Sequence, residues 1–463
     1  MTEKINAYFE REKANLLSDL EKLIKIPSVR GEASEDMPFG AEPKKALDKI
    51  LEIASGYGFI TNNIDNYAGE IDLNDKETKL AILGHLDVVP EGDGWSVPPY
   101  EMTVKDGKVY GRGTSDDKGP VICALYALKA IKALGIDLSY NARLIAGTSE
   151  ETGSEDIGYY VTKRQMPPMT FTPDSSFPVT NVEKGRFSKA FTGKVSATGE
   201  KSIVSFDAGL VVNAVPGKAK AEVKGFSFTD LEKLTEEAKR ETGVEFTLNR
   251  NGEITEILAE GVSAHASLPE NGNNALTAFV KLLSALESDC ATVEAFRTIA
   301  KLFPHGKLYG EGLGVDMEDE ASGKLTLSLD ILRYDGESIY AEFDTRVPLC
   351  ATEENLAFKV RDVLSANGFV LSDTEMVAVH YVDENSDFIK KLLSAYEAFS
   401  GSKGYCEAIG GGTYVHNIEG GVAFGAVMPG VDTNMHGIDE FMPIDDLITA
   451  AKIFTLAVIE ICK

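Results

Sequence analysis

The chain has 463 residues, of which 43% are hydrophobic and 26% are charged, a balance that is ordinary for a globular protein. This length exceeds what one compact core usually holds, so we expect about two or three domains. The 73 acidic residues outnumber the 46 basic ones, and the resulting net charge of −27 disfavours nucleic acids and anionic membrane surfaces as partners.

The first part of the chain predicts helices that alternate with buried strands. Between Ile5 and Ile24, apolar residues recur at helical spacing and charges interrupt every apolar stretch, so we expect a helix and neither a signal peptide nor a transmembrane segment. Further helices are predicted at 43–55 and 120–134, and short apolar strands at Leu80–Leu83, Ala142–Ala146 and Met169–Thr172. Such strands, separated by helices, are typical of a largely parallel sheet that is covered on both faces.

The pattern changes after about residue 183. Alternating strands are predicted at 187–223 and 324–347, with helices at about 229–242 and 273–288. The two strand segments share a faint similarity, which is compatible with two similar α+β lobes.

Later in the chain the α/β pattern returns, with a helix near 386–400 and a last helix from Ile444 to Ile461. The predicted fold class is therefore α/β. We expect a catalytic domain of residues 1–183 and 380–463, with a mixed, mostly parallel sheet and helices on both faces. Residues 184–379 are predicted to form an inserted α+β lid domain of two similar lobes.

Side chains that can bind metal ions follow the predicted strands. His85 and Asp87 come directly after one strand, and their spacing puts both side chains on the same side of an extended backbone. One of the two can bind a metal ion while the other fixes the imidazole ring. Asp116 lies in the segment Gly111–Pro120, which follows another apolar strand.

More candidates stand at corresponding places. Glu150 and Glu151 follow the strand Ala142–Ala146, Asp174 ends the next strand, and His436 precedes the last helix. Together with His85 and Asp116, this set exceeds what one open tetrahedral zinc ion needs. It suits two metal ions about 3.5–4 Å apart, bridged by a carboxylate and a water.

Four motifs of the chain resemble the M20 family of metallopeptidases, and within it the PepV-type bacterial dipeptidases. The motifs are Gly84–Pro90, Gly111–Gly119, Glu150–Glu151 and Asn434–Gly437. The resemblance covers nearly the whole chain. It implies a metal-dependent dipeptidase with two divalent ions per chain. Nitrogen and oxygen ligands fit zinc, manganese or cobalt could also serve, and the sequence does not select among the three.

The resemblance also implies a ligand set. His85 and Asp174 would bind one metal ion, and Glu151 and His436 the other. Asp116 would bridge both ions, and the peptide bond that follows it would be cis.

Three further residues receive roles in hydrolysis from the resemblance. Glu150 would be the general base for a water that bridges the metal ions, and Asp87 would orient His85. His265, in the lid, would stabilise the oxyanion of the tetrahedral intermediate.

The resemblance further implies a site for the C-terminal carboxylate of the substrate. Asn213 and Arg346 match lid positions that would hold this group, and arginine suits the task through its bidentate fork. Backbone amides of Gly411, Gly412 and Thr413 could contribute to the same anion pocket, since glycine lets the backbone approach closely.

Several hypotheses compete at this point. The leading one is a cytoplasmic dipeptidase that acts as a monomer on small peptides. The cytoplasmic location rests on five scattered cysteines without metal-site spacing, which predict reduced thiols. A deacylase or desuccinylase of N-acyl amino acids would use the same metal chemistry. A binding protein that has lost activity is disfavoured by the intact Glu150 and the full ligand set.

Overall fold

The computed structural model describes residues 1–196 and 199–463, which form two compact units. The first unit comprises Met1–Val182, His380–Glu407 and Gly412–Lys463, and the second comprises Glu183–Val379 and Ala408–Gly411. Within these described ranges, no helix has the length and apolar character needed to cross a membrane.

The first unit is built on a nine-stranded mixed sheet. Eight of its described strands follow in the order Ile60–Ile64, Ala68–Asp72, Asn141–Gly147, Thr78–His85, Met169–Thr172, Gly421–Ala423, Val179–Glu183 and His380–Tyr381, and Cys406–Ile409 is the ninth. The central strands, from Asn141–Gly147 to Gly421–Ala423, pair in parallel, whereas the strands beside them pair antiparallel. The predicted mixed α/β fold is confirmed, with parallel pairing at the centre of the sheet.

Helices cover both faces of this sheet. In the central strand Thr78–His85, Leu80 and Ile82 join the main core, while Ala81 and Leu83 join a smaller cluster on the other face. All four side chains are fully buried, which explains why this strand shows no polar alternation. The helices of the unit are Thr2–Ile24, Ala41–Gly56, Lys118–Ala133, Glu155–Lys163, Asp387–Ser400 and Ile444–Cys462.

The second unit also contains a nine-stranded sheet. Its described strands follow in the order Glu245–Asn251, Ile254–Glu260, Lys218–Lys224, Ser202–Ala208, Thr326–Tyr334, Ser338–Val347, Lys189–Lys194 and Val370–Leu371, with Gly185–Arg186 beside Ser338–Val347. The segments with faint internal similarity thus belong to one continuous sheet, in which Ser202–Ala208 pairs antiparallel with Thr326–Tyr334. The helices of the unit are Phe228–Thr242, Ala275–Ser284, Ala291–Leu302 and Phe358–Ala366.

Smaller strand pairs complete the two units. In the first unit, Thr103–Lys105, Lys108–Tyr110 and Phe441–Pro443 form a small sheet, and Ser175–Ser176 pairs with Ala426–Val427. In the second unit, Ala214–Val215 pairs with Ala264–His265, and Glu318–Asp319 pairs with Gly323–Lys324.

Candidate active site

The predicted ligands of the first unit gather at one edge of its sheet. His85 is the last residue of its strand, Glu150 and Glu151 begin a short 3-10 turn after the neighbouring strand, and Asp174 follows the strand on the other side. Because these three strands are parallel, their carboxyl ends meet at the same edge, where ligands of α/β sheets collect. Asp116 lies just before the helix Lys118–Ala133.

Among the described residues, two groups of side chains could each hold a metal ion. The first, which we call the His85 group, consists of His85, Asp116 and Asp174, and the second, the His436 group, consists of Asp116, Glu151 and His436. Within each group the candidate ligand atoms lie within 4.8 Å of one another. Asp116 belongs to both groups, which is the arrangement expected of a bridging carboxylate.

The distances from the two imidazole rings fit this division. Nε2 of His85 lies 3.0 Å from Oδ1 of Asp116 and 3.6 Å from Oδ2 of Asp174. Nε2 of His436 lies 2.8 Å from Oδ2 of Asp116 and 3.1 Å from Oε2 of Glu151. The two oxygens of Asp116 therefore face different histidines. The peptide bond between Asp116 and Asp117 is cis, as predicted.

Two buried atoms of the centre lack the partners that buried polar atoms normally have. Nε2 of His85 and Oδ1 of Asp116 face each other without making a hydrogen bond, and neither has another partner among the described residues. Buried polar atoms are nearly always satisfied, and an imidazole nitrogen beside a carboxylate oxygen forms a suitable donor set for a divalent cation. The residues present thus fit a metal ion at this position.

Electrostatics in the centre favour positive charge. Burial lowers the pKa of His85, but the carboxylates of Asp116 and Asp174 outweigh burial and raise this pKa well above its usual value. Asp116 and Glu151 likewise raise the pKa of His436 to about 10. The surrounding carboxylates therefore favour positive charge at both rings, and a divalent cation bound there would supply that charge.

Glu150 stands beside the ligands but belongs to neither metal group. Burial raises the pKa of its carboxyl to about 9; His85 opposes this shift, and the carboxylates of Asp174, Glu151 and Asp116 add to it. A glutamate with a pKa well above its usual range at the edge of a metal centre is a candidate for proton transfer.

Asp87 was expected to orient His85, and in the structure it also contacts the turn that carries Glu150 and Glu151. Its main-chain oxygen lies 3.0 Å from Nδ1 of His85, and its carboxylate oxygen Oδ1 lies 3.5 Å from the same nitrogen. The two carboxylate oxygens accept the backbone N–H groups of Glu150 and Glu151, each at 3.1 Å. Asp87 thereby connects the His85 ring to the turn that carries both glutamates.

The structure adds residues to this network that sequence reasoning missed. Asp156 accepts hydrogen bonds from the backbone N–H groups of Thr148 and Ser149 and from the hydroxyl of Tyr414. The Tyr414 ring packs edge-on against His85, with ring centroids 6.0 Å apart. No sequence motif marks Asp156 or Tyr414, because their partners become neighbours only through the fold.

Two other missed residues are Arg112 and Glu440, which form a buried ion pair between Nη1 and Oε2 at 2.8 Å. Arg112 lies within the motif Gly111–Gly119, and Glu440 follows His436 by four positions. Their closeness in the sequence to two segments that carry candidate ligands was the available signal for a role at the site. It does not reveal that the two side chains meet.

In the second unit, Asn213 and His265 are neighbours. The strand pair Ala214–Val215 with Ala264–His265 brings them together, and the main-chain oxygen of Asn213 accepts the N–H of Ala266 at 2.9 Å. Nδ1 of His265 accepts the backbone N–H of Ser267 at 3.1 Å, which places the proton of the neutral ring on Nε2. Burial and the charge of Arg346 lower the pKa of His265 and so favour this neutral form.

Arg346 is buried and held by its neighbour in the strand. Its Nε and Nη2 donate to the two carboxylate oxygens of Asp344 at 2.7 and 3.1 Å, and its Nη1 donates to the main-chain oxygen of Gly410. Asp344 also accepts the hydroxyl of Ser188 at 2.9 Å. One fork of the guanidinium is therefore occupied, and N–H groups on Nη1 and Nη2 remain for another anion.

The predicted glycine-rich loop lies where the chain passes from one unit to the other. Gly411 belongs to the second unit, whereas Gly412 and Thr413 belong to the first. The Thr413 side chain caps the 3-10 turn Tyr414–Asn417 by accepting the N–H of Val415. The contribution of these backbone amides to an anion pocket stays a prediction.

Comparisons with known proteins identify the family of the chain. Residues 81–460 match the model of peptidase family M20/M25/M40. The protein YtjP of Bacillus subtilis (strain 168) is 34% identical over 98% of both chains. The beta-Ala-Xaa dipeptidase of Lactobacillus delbrueckii subsp. lactis is 33% identical over 98% of this chain and 97% of its own. The structure of human carnosine dipeptidase 1 shares the fold, with a TM-score of 0.55 at 16% identity over 100% of both chains.

Proposed function

Because the chain belongs to peptidase family M20/M25/M40, we propose that it is a dipeptidase that hydrolyses the peptide bond of dipeptides at a two-metal centre. The observation that carries this proposal is the sharing of Asp116 between the His85 group and the His436 group, with Glu150 beside both. The similarity to a beta-Ala-Xaa dipeptidase over nearly the whole of both chains supports the dipeptide as substrate class.

The proposed metal ligands form the same two groups that the measured distances indicate. His85 and Asp174 would hold one ion, Glu151 and His436 the other, and Asp116 both. When bound, two divalent cations lower the pKa of a water between them and polarise the carbonyl of the scissile bond. Nitrogen and oxygen donors suit zinc, and manganese or cobalt also accept this ligand set.

Glu150 is the proposed general base. It would accept the proton of the attacking water and later give it to the leaving amine. A raised pKa suits this double task, because the carboxyl must keep the proton between the two steps. Bound cations would lower that pKa toward the working pH, in opposition to burial.

We expect Asp87→Asn to lower kcat about 10- to 100-fold when it is assayed with enough metal to keep both ions bound. An asparagine side chain has one acceptor oxygen, so one of the two backbone N–H groups of Glu150 and Glu151 would face an amide donor instead. Steady-state kinetics together with metal analysis checks this. Asp93→Asn, an exposed site in the nearby loop, is the matched control, and equal kcat values for both variants would contradict the expectation.

The second unit is proposed to bind the substrate. The Nε2–H group of His265 would stabilise the oxyanion that forms on the substrate carbonyl, for which a neutral, donating ring is suited. The remaining N–H groups of Arg346 and the side chain of Asn213 would bind the C-terminal carboxylate. Backbone amides of the segment Gly411–Thr413 would assist at the same carboxylate.

Arg346→Lys is expected to raise KM for dipeptides about 10-fold or more with a smaller change in kcat. Lysine keeps the charge but cannot bind Asp344 and a substrate carboxylate through two forks. The measurement compares a dipeptide that has a free C-terminal carboxylate with the same dipeptide as its C-terminal amide. On the amide, the KM values of the variant and the wild type should differ little. Arg333→Lys, in the adjacent strand of the same sheet, is the control. An unchanged KM in Arg346→Lys would refute the assignment.

We also propose that the protein acts as a cytoplasmic monomer. All five cysteines lie in described segments, and no disulfide joins any of them there, which supports a reducing compartment. Light scattering of the purified protein tests the oligomeric state.

The competing activity is deacylation of N-acyl amino acids by the same centre. A panel of dipeptides, tripeptides, and N-acetyl and N-succinyl amino acids, assayed with zinc, with manganese and with no added metal, separates the two. We expect hydrolysis of unblocked dipeptides at the highest kcat/KM. Preference for acyl amino acids over every dipeptide would favour the deacylase.

A further inference from the structure

The buried carboxylate of Glu440 organises the segment that carries Asp116. Its Oε1 accepts the backbone N–H groups of Ser115 and Asp116 at 2.9 and 3.2 Å, and the Ser115 hydroxyl at 3.0 Å. The N–H of Gly113 reaches both carboxylate oxygens, at 3.1 and 3.0 Å. Glu440 itself is fully buried. One side chain therefore fixes the backbone on the N-terminal side of the shared ligand.

Arg112 extends this contact to the segment that carries His436. Nη1 of Arg112 donates to Glu440, while its Nη2 donates to the main-chain oxygen of His436 at 3.4 Å and to that of Pro90 at 3.2 Å. The backbone of Glu440 also takes part, since its oxygen accepts the N–H of Gly111 at 3.0 Å. The Arg112–Glu440 pair thus contacts two of the three segments that supply ligands to the His436 group, those of Asp116 and His436.

The two metal groups differ in how their ligands are held. His85 is the last residue of its strand and pairs with Gly147 of the neighbouring strand, and Asp174 follows the adjacent parallel strand by two residues. His436 lies in a loop, its side chain is 52% exposed, and its φ of 61° is a left-handed conformation that costs energy in a residue with a Cβ atom. Such a conformation persists only where surrounding contacts impose it. Arg112 supplies one such contact at His436, the part-buried hydrogen bond from its Nη2 to the main-chain oxygen.

We propose that Glu440 is a positioning residue, which together with Arg112 ties the Asp116 segment to the His436 segment and so sets the affinity of the His436 group for its metal ion. The inference rests on the proposed two-metal centre and deepens it. Glu440 belongs to neither metal group; it acts through the backbone of the candidate ligands.

A glutamine at position 440 would keep the shape of the side chain but would donate hydrogen bonds where the carboxylate accepts them. The carboxylate of Glu440 receives N–H and O–H groups from four residues, Arg112, Gly113, Ser115 and Asp116. A glutamine amide offers one acceptor oxygen and adds two donors, so part of this set would lose its partner. The Asp116 segment would shift, which displaces one ligand of the His85 group but two ligands of the His436 group, the shared Asp116 and the loop residue His436.

The test is a titration of metal-free protein with Co²⁺ alone, followed by calorimetry and by the visible absorption of the bound ion. Wild-type protein should bind two ions per chain. Glu440→Gln should bind one ion at most a few-fold more weakly and the other at least about 10-fold more weakly, since one group has one affected ligand and the other has two. The control is Glu70→Gln, because Glu70 forms a comparable buried pair with Arg143, at 2.6 Å, away from the centre. It should bind both ions as the wild type does.

Other results would overturn the inference. If Glu440→Gln binds two ions with wild-type affinities, Glu440 has no positioning role. If Glu440→Gln and Glu70→Gln lose metal affinity equally, the effect of Glu440 is one on general stability. If Glu440→Gln does not fold, Arg112→Lys takes its place. Lysine keeps the charge beside Glu440 but cannot also reach the main-chain oxygen of His436. The affinity of this variant for the second ion should fall about 3- to 10-fold. Fewer than two ions in the wild type would instead refute the two-metal centre itself.

Discussion

Replacing Asp116 with asparagine should release both metal ions and lower kcat/KM for dipeptides at least about 1,000-fold. Asp116 is the one residue shared by the two metal groups of the described chain, and its oxygens face His85 at 3.0 Å and His436 at 2.8 Å. An asparagine amide can offer one oxygen ligand and no negative charge, so it cannot bridge two cations. The effect should therefore exceed that of removing a ligand from one group.

The single-group variants make this prediction specific. Asp174→Asn should lose the ion of the His85 group, and Glu151→Gln the ion of the His436 group, each leaving about one ion per chain. Asp137→Asn is the matched control, because Asp137 is exposed and pairs only with Lys76 on the surface. Metal analysis after dialysis gives the stoichiometry. Two tightly bound ions in Asp116→Asn would contradict the bridging assignment.

Glu150→Gln should lower kcat about 100- to 10,000-fold, the range that general acid–base groups contribute, while both ions stay bound. Glutamine keeps the shape of the side chain but cannot accept the proton of the attacking water. The metal content of the variant decides between two roles for Glu150, because the loss of a general base leaves both ions bound whereas the loss of a ligand releases an ion. The measurement pairs single-turnover kinetics with metal analysis of the same preparation.

The control for Glu150→Gln lies on the neighbouring helix. Glu155 is 58% exposed and forms a surface pair with Arg30, so Glu155→Gln removes the same charge without touching the metal groups. It should keep kcat within about twofold of the wild type. Near-wild-type hydrolysis by Glu150→Gln would remove Glu150 from the mechanism.

The gathering of the candidate ligands at strand ends was predictable from the local hydrophobic pattern and the order of the elements. A run such as Leu80–Leu83 is apolar on both faces only if helices cover both faces of its sheet, and parallel neighbours follow from the helices between the strands. His85 and Asp174 then must share an edge. The family resemblance added the division into two metal groups, which residue spacing alone left open.

Contacts between distant segments were not predictable in the same way. Glu440 and Arg112 are separated by 328 positions, and Asp156 and Tyr414 by 258. Nothing in either local sequence indicates that the two side chains of each pair meet. The partners of Asp87 illustrate the same limit, because its role in holding the turn of Glu150 depends on a neighbouring strand rather than on its own motif.

Helix ends depended on tertiary contacts as well. A helix predicted at about 273–288 ends at Ser284 in the structure. Arg297, from the following helix, donates to the main-chain oxygens of Ser284 and Leu286, at 3.0 and 2.6 Å. These bonds satisfy carbonyl groups that a longer helix would have used, so the helix can stop without a local signal.

The central claim is that two metal ions and Glu150 together make this chain a dipeptidase. The most direct measurement titrates chelator-treated, metal-free protein with Zn²⁺, and in parallel with Mn²⁺, while following the hydrolysis of an unblocked dipeptide. We predict no hydrolysis without metal and a maximal rate at two ions per chain. Undiminished hydrolysis by the metal-free protein, or no dipeptide hydrolysis at any metal loading, would contradict the account.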